Sequence, residues 1–160
     1  MKNKSIKIKK FKPSITLKES NTITNKIFLL RKKYKLNPLT VAILDNGGNL
    51  VSLQKEDGSS LLRPNIAIGK GYAALSMGTN AGNITSLLGN RQEFLTAVSI
   101  QGTKVSSGLV PAQGGVLIIK DDTIVGAVGV SGDSSVNDQK VILESLKLLK
   151  YNKTKKNKAN

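Results

Sequence analysis

The sequence predicts an α+β domain in which an antiparallel β-sheet is covered by helices. Two pairs of apolar runs, each pair joined by a short turn signal, predict two β-hairpins, and amphipathic segments around them predict helices. The predicted order is helix, hairpin, two helices, hairpin, helix, which is typical of the α+β class. We expect a single domain over residues 13–150, with disordered basic tails at 1–12 and 151–160.

The first predicted helix spans about 17–35. Thr16 and Glu19 form a capping box at its start, and apolar residues such as Ile23 and Ile27 follow at helical spacing. The apolar runs 39–45 and 49–55 then flank Asn46-Gly47, a dipeptide that accepts the positive φ angles of a tight hairpin turn. This pattern predicts the first hairpin.

Pro64 is expected to start the second helix, which continues to about Gly78. Small residues within it predict a face against which another backbone packs closely, and we take this face as one reason to expect self-association: Ala67, Gly69, Gly71, Ala73 and Ala74. A short helix is predicted from about Asn90 to Ile100.

The second hairpin is predicted from strands at 114–120 and 123–131, joined by Asp121-Asp122. The last helix is predicted over 135–150 and opens with a capping box from Ser135 to Asp138. Leu143, Leu146 and Leu149 are predicted to share one face of this helix.

The composition excludes several kinds of site. The chain has no Cys and no His, which removes disulfides, thiol catalysis, Ser-His-Asp triads and imidazole ligation of a metal. No run of about 20 apolar residues occurs, and no apolar signal-peptide segment follows the basic start. We therefore expect a cytoplasmic protein that does not span a membrane and holds no metal site.

The net charge of +15 is concentrated at the two ends of the chain. Residues 1–12 carry six Lys and residues 150–160 carry five, so 13–149 hold 25 − 11 = 14 basic and 10 acidic residues, a net charge of +4. Only three basic residues are Arg, the side chain best suited to phosphate and base contacts. A coding bias towards Lys and Asn explains this composition, and tails that bind nucleic acid remain the less favoured alternative.

The stretch GAVGVSGDSSVND at 126–138 resembles a glycine-rich phosphate loop at first sight. Its glycines fit neither the dinucleotide pattern nor the P-loop pattern, and two of them lie within a predicted hairpin strand. Asp133 and Asp138 would repel a phosphate at the helix N-terminus. The stretch is therefore better interpreted as a strand that turns into the last helix.

Four segments between about Thr16 and Leu149 resemble the GlcG/HbpS-like family of haem-binding or haem-degrading domains. They are VAILDNGGNLVSLQKEDGS (41–59), NIAIGKGYAA (65–74), VPAQGGVLI (110–118) and IVGAVGVSGDSSVND (124–138). The resemblance implies a profilin- or PAS-like fold, dimers or larger rings, and a pocket for haem or another metabolite.

The resemblance also implies a cleft where segments from one helix and two strand ends converge. The residues expected to bind a ligand there are Asn65, Lys70, Tyr72, Gln113, Gly114, Gly115, Ser131, Gly132 and Asp133. Glycines in this set are expected to let a ligand approach the backbone. Lys70 is expected to pair with a ligand carboxylate.

Haem would need an axial donor other than His or Cys. Tyr72 is the preferred candidate, because Tyr is an established haem ligand, while Tyr34, Met77 and Lys are weaker candidates. Packing roles for Tyr72 and Met77 remain the competing interpretation.

The alternative to a haem protein is an enzyme or carrier for a small anionic metabolite. No catalytic residue can be assigned from the sequence. Asp45 and Asp57 lie at turns, where Asp is favoured for local hydrogen bonding. Whether the chain catalyses a reaction is therefore left open.

Overall fold

The computed structural model describes residues 14–89, 91–103 and 108–152. A four-stranded antiparallel sheet lies between helices, so the α+β class predicted from the sequence is confirmed. The strands are β1 (Thr40–Asp45), β2 (Leu50–Lys55), β3 (Gly115–Lys120) and β4 (Thr123–Ser131). The α-helices are α1 (Leu17–Tyr34), α2 (Arg63–Met77), α3 (Ile84–Leu88), α4 (Gln92–Gly102) and α5 (Ser135–Leu148).

The two predicted hairpins associate through their inner strands. The strand order is β2-β1-β4-β3, and the register of the central pair places Val41 opposite Val130. Thr40, at the start of β1, lies opposite Ser131, at the end of β4. This end of the sheet, where β3 starts and β4 stops, is called the closing end below.

Helices cover both faces of the sheet. Val41 and Ile43 point to the face covered by α1 and α5, whereas Ala42 and Leu44 point to the face covered by α2. Because successive side chains of a strand alternate between faces, one apolar strand serves two cores. All four side chains are fully buried.

The small-residue face of α2 packs against the chain's own sheet. A Cβ at Gly129 would lie 1.9 Å from the carbonyl oxygen of Ala67, and one at Gly115 would lie 2.1 Å from that of Lys70. The helix and sheet backbones therefore approach to a distance that only glycine permits. The close packing predicted for this face is intramolecular, so the face itself gives no reason to expect self-association.

Several local details differ from the sequence predictions. The capping box at Thr16 and Glu19 is present, but the positive φ of the first hairpin turn falls at Gly48 (83°) and not at Asn46-Gly47. The carboxylate of Asp45 accepts from the N–H groups of Gly47 and Asn49, which closes this turn in another way.

The last helix, α5, buries a face that differs from the predicted leucine face. Its N-cap is Ser134, one residue earlier than predicted, and Leu143 is 43% exposed. The buried positions are Asp138, Val141, Ile142, Ser145 and Leu146. The buried face thus includes two polar residues that a search for apolar spacing passes over.

The sequence did not predict α3 or the 3₁₀ turn at Ala81–Asn83 that precedes it. Contacts with the sheet also continue past residue 150, because the Asn152 side chain donates to the carbonyl of Leu117 and accepts from the N–H of Ile119, both on the edge strand β3. The rest of both tails lies outside the described residues. Within the described part of the chain, no helix is long and apolar enough to cross a membrane.

Candidate functional site

A buried ion pair lies at the closing end of the sheet. The ammonium of Lys70 is 2.9 Å from Oδ2 of Asp138 and 3.0 Å from the carbonyl oxygen of Val130. Lys70 is 3% exposed and Asp138 is fully buried. Lys and Asp are almost never buried to this extent unless they are paired, so each charge depends on the other.

The two charges come from opposite faces of the sheet. Lys70 lies on the sheet-facing side of α2, and Asp138 lies in the first turn of α5. They meet beside Gly114, whose φ is +101° and where a Cβ would lie 2.9 Å from the Lys70 ammonium. A side chain at residue 114 would therefore collide with the pair.

Arg63 extends the polar site towards the surface. It is the first residue of α2, it is partly exposed, and its guanidinium donates to the hydroxyl of the fully buried Ser131 at 3.2 Å. We call Arg63, Lys70, Ser131 and Asp138 the Lys70 cluster. Arg63 is the cation of this cluster that solvent can reach, because it is partly exposed. The charge of Lys70 is already compensated by Asp138 inside the protein.

The Asp138 carboxyl experiences opposing influences. Burial raises its pKa, while Lys70, the N–H of Asp133 and the more distant Arg63 act to lower it. The net direction is upward, because the cost of burying the charge exceeds the stabilisation by the partners. The Lys70 cluster therefore holds a carboxylate whose ionisation depends on its cationic neighbours.

Most of the ligand residues predicted from the sequence lie close to the Lys70 cluster. The N–H of Asp133 donates to Asp138, and the carbonyl of Gly114 accepts from Val130. The carboxylate of Asp133 accepts from Asn137, Asn37 and Ser134, and these hydrogen bonds lower its pKa. Asp133 thus ties the segment before β1 to the start of α5.

The space beside the predicted ligand-contacting glycines is filled by the chain itself. Gly115 faces the backbone of Lys70, and a Cβ at Gly132 would lie 2.3 Å from the carbonyl oxygen of Pro38. The physical role of both glycines is close internal packing, which differs from the approach of a ligand expected from the sequence. Gln113 lies next to Gly82, before β3 begins.

Asn65 and Tyr72 lie apart from the Lys70 cluster. Asn65 is exposed, and the ring of Tyr72 lies near Gly48 in the turn between β1 and β2. Residues seven apart share a helix face, so Asn65 and Tyr72 lie on a side of α2 different from that of Lys70. The structure therefore divides the predicted ligand residues between two neighbouring surfaces.

Arg63 and Asp138 are the site residues that sequence reasoning missed. Asp138 precedes Val141 and Ile142 by three and four residues, which places an acid on the apolar stripe of α5. Lys70 likewise lies among small, buried residues of α2. One basic and one acidic residue, each within a buried stripe, would have indicated a pair.

Two tyrosines outside the cluster have a raised pKa, in part because of nearby carboxylates. The hydroxyl of Tyr34 donates to Glu144 at 2.6 Å, which raises its pKa. Burial and the nearby Glu19 raise the pKa of Tyr151 to about 12. In contrast, Tyr72 is partly buried, and its hydroxyl makes no hydrogen bond to any described residue.

A comparison with protein families matches residues 15–147 to the haem degrading protein HbpS-like family. Among curated proteins, an uncharacterized 15.0 kDa protein of Citrobacter freundii, from the dhaT-dhaS intergenic region, is 28% identical over 102 residues. That alignment covers 64% of this chain and 69% of the relative.

Solved structures of similar fold support this match. Klebsiella pneumoniae ORFY aligns with a TM-score of 0.76 and 22% identity, covering 94% of this chain and 97% of that protein. A complex of PduOC with haem gives 0.72 and 16%, covering 89% and 99%. A double mutant of Streptomyces reticuli HbpS gives 0.70 and 16%, covering 93% and 94%.

Proposed function

Since this chain belongs to the HbpS-like family, we propose that it is a homo-oligomeric binding protein for a small anionic ligand, with haem or another tetrapyrrole as the nominal ligand. The observation that carries the proposal is the Lys70 cluster, a buried and charge-compensated site with a partly exposed arginine at its edge. The haem degrading protein HbpS-like family, and a structural relative solved in complex with haem, favour haem among possible ligands.

Arg63 is the residue best placed to hold a ligand carboxylate. A guanidinium recognises carboxylates through two parallel hydrogen bonds, and Ser131 holds the Arg63 side chain in place from below. The start of α2 adds to this preference, because its N-cap Leu62 makes no side-chain cap and its first turn contains no acid. Haem propionates and small organic acids both carry the group that such a site selects.

Tyr72 is the residue that would hold the haem iron. With no His or Cys in the chain, iron would be held by a tyrosine, and Tyr34 is already hydrogen-bonded to a carboxylate. Tyr72 packs against the same small core cluster as the partly buried apolar side chains Ile68 and Leu75, and apolar surroundings suit a flat apolar macrocycle. When bound, haem would supply redox and oxygen chemistry that this chain's own side chains lack.

A small carboxylate metabolite is the second candidate. One observation favours it: the cation and the hydroxyls gather at one place, whereas Tyr72 lies near Gly48 on another side of α2. Behind Arg63, Ser131 pairs with Thr40 in the sheet, and Thr40 shares a hydrogen bond with Ser59. A compact polar site of this kind can bind a carboxylate without a macrocycle.

A haemin titration followed by absorbance tests the haem proposal. We expect a saturable high-spin ferric spectrum that Tyr72→Phe abolishes and that Tyr34→Phe, the matched control, leaves unchanged. An unchanged spectrum in Tyr72→Phe would show that the axial assignment is wrong, and the absence of saturable binding in the wild type would remove haem as the ligand.

The metabolite candidate predicts a different pattern. A small anion should co-purify with the full chain and be released by Arg63→Gln, while Arg91→Gln, which alters an exposed arginine on α4's N-terminal side, should retain it. Mass spectrometry of the released compound measures this directly. Equal loss in both variants would show that general positive charge, and not the Lys70 cluster, holds the anion.

A further inference from the structure

The segment 71–119 is nearly free of charge in a chain that is otherwise rich in lysine. It contains three charged residues, Arg91, Glu93 and Lys104, whereas the whole chain has 25 basic and 10 acidic residues. Part of this segment is the buried strand β3, which explains the absence of charge there. Burial does not explain α3 and α4, which lie on the surface.

Helix α4 has an apolar surface that the described chain leaves uncovered. Every residue of the helix except Gly102 is at least partly exposed, including Phe94 (40%) and Ile100 (60%). Its contacts with the body of the protein include Leu95, which packs against the core cluster that contains Leu109 and Leu117, and Gly102, which packs against Gly108 and Leu109. A helix gains most of its stability from packing an apolar face, so α4 needs a partner beyond the described fold.

The same surface presents both protrusions and a groove. A groove of about 500 Å³ runs between α4 and the segment 108–111, with Leu95, Ser99 and Leu109 among its walls. Ile100 belongs to the wall of this groove, whereas Phe94, which is 40% exposed on the same helix, lies outside it. A two-fold interface places one patch against its own copy, and therefore requires that a single patch carry both shapes.

Charge identifies the partner as a second copy of the chain. Each copy carries +15, of which +4 lies within residues 13–149, so two copies repel one another wherever their lysines meet. The α3–α4 surface, with Glu93 as the charged residue within the two helices, is a place where they can approach without that repulsion. Depletion of charged residues together with exposed aromatic and aliphatic side chains is also the compositional signal of an interface core.

From these features we infer that α4 and the groove beside it form an isologous interface between two copies of this chain. This inference rests on the self-association in the proposed function but not on its ligand. Phe94, partly covered by the guanidinium of Arg91 at 4.4 Å from the ring centroid, lies at one end of the interface. Ile100 lies at the other end of α4.

Light scattering on the full chain, with one pair of matched variants, tests this interface. Ile100 and Leu29 are both helical and are 60% and 59% exposed. We expect the wild type to be a dimer or larger at micromolar concentration, and Ile100→Glu to weaken its association at least about tenfold, the effect of losing one buried contact of about 1.4 kcal/mol. Leu29→Glu should associate as the wild type does, and circular dichroism confirms that both variants fold.

A second measurement does not depend on whether a charged variant folds. Because the chain has no cysteine, Thr96→Cys on α4 and Leu29→Cys on α1 each introduce the only thiol. A short bis-maleimide should cross-link Thr96→Cys into dimers and leave Leu29→Cys monomeric on denaturing gels.

The outcomes separate the interface from the proposed function. A monomeric wild type would overturn both the interface and the proposed oligomer. An oligomer that Ile100→Glu leaves intact and that cross-links through Leu29→Cys would overturn only the α4 interface. Haemin binding can succeed or fail independently of either result.

Discussion

The ion pair between Lys70 and Asp138 provides the sharpest test of the site's energetics. Breaking a fully buried pair by removing one partner costs about 3–5 kcal/mol, because the remaining charge is left without compensation. At 3% exposure for Lys70 and complete burial of Asp138, solvent does little to reduce this cost. We therefore expect Asp138→Leu to lower the free energy of unfolding by about 3–5 kcal/mol.

The double variant Lys70→Met/Asp138→Leu should recover much of this loss, because apolar residues of similar volume often replace a buried pair without net destabilisation. The coupling energy, which is the sum of the single losses minus the double loss, should exceed about 3 kcal/mol, because the double loss is expected to be smaller than either single loss. For a domain of this size, 1 kcal/mol corresponds to about 2–4 °C in Tm. Urea denaturation of the four proteins at pH 7 measures each free energy.

The exposed pair of Lys33 and Glu144 supplies the control. Its N–O distance is 3.9 Å and the Lys33 side chain is 64% exposed, so the same cycle there should give a coupling energy below about 1 kcal/mol. If the Lys70–Asp138 coupling is no larger than that of the control, the buried pair does not organise the closing end of the sheet and our reasoning is wrong.

The same pair makes a prediction about pH. In Lys70→Met, Asp138 loses the main group that lowers its pKa, so the pKa in the folded state rises further above that in the unfolded state. A folded acid with a raised pKa binds its proton more tightly than the unfolded chain does, so stability falls as the pH rises through that pKa. We expect Lys70→Met to be closer to wild-type stability at pH 5 than at pH 8, and equal deficits at both values would contradict this assignment.

Three further predictions concern the rest of the fold. Burial acts to raise the pKa of Glu19, but hydrogen bonds and Lys120 lower it to about 2, so Tm should fall between about pH 4.5 and pH 2 in the wild type and fall less in Glu19→Gln. Gly129→Ala forces a Cβ against a helix carbonyl and should lower stability by about 1–3 kcal/mol or more, whereas Gly47→Ala, which meets only side chains, should be tolerated; equal losses would refute the close approach. Deleting 1–12 and 153–160 should leave Tm unchanged. If the full chain binds nucleic acid tightly at physiological salt and the deletion abolishes that binding, the tails are functional.

The elements with clear local signals could be predicted from the sequence. The Thr16–Glu19 capping box and the helix that starts near Pro64 come from interactions within a few residues, so their limits agree closely with α1 and α2. The short helix α3 was missed because five residues carry too little apolar periodicity to stand out.

The candidate site was harder to predict, because its contacts join residues that are distant in sequence. Lys70 and Asp138 are 68 residues apart, as are Arg63 and Ser131. No sequence feature near one residue of either pair indicates which residue it contacts. The glycines near the site were assigned to a ligand, yet Gly115 and Gly132 make room for the chain's own backbone. A sequence shows that a position needs a small residue but does not show what fills the space.

Native mass spectrometry of the full chain, before and after the addition of equimolar haemin, measures small-ligand binding directly. We predict one haemin per protomer on an oligomer, with occupancy reduced in Tyr72→Phe and preserved in Tyr34→Phe. If haemin does not bind, the proposed function requires a co-purified anion that Arg63→Gln releases. Masses of bare protein alone, or a non-stoichiometric ladder of haemin adducts with no co-purified compound, would contradict the proposed function.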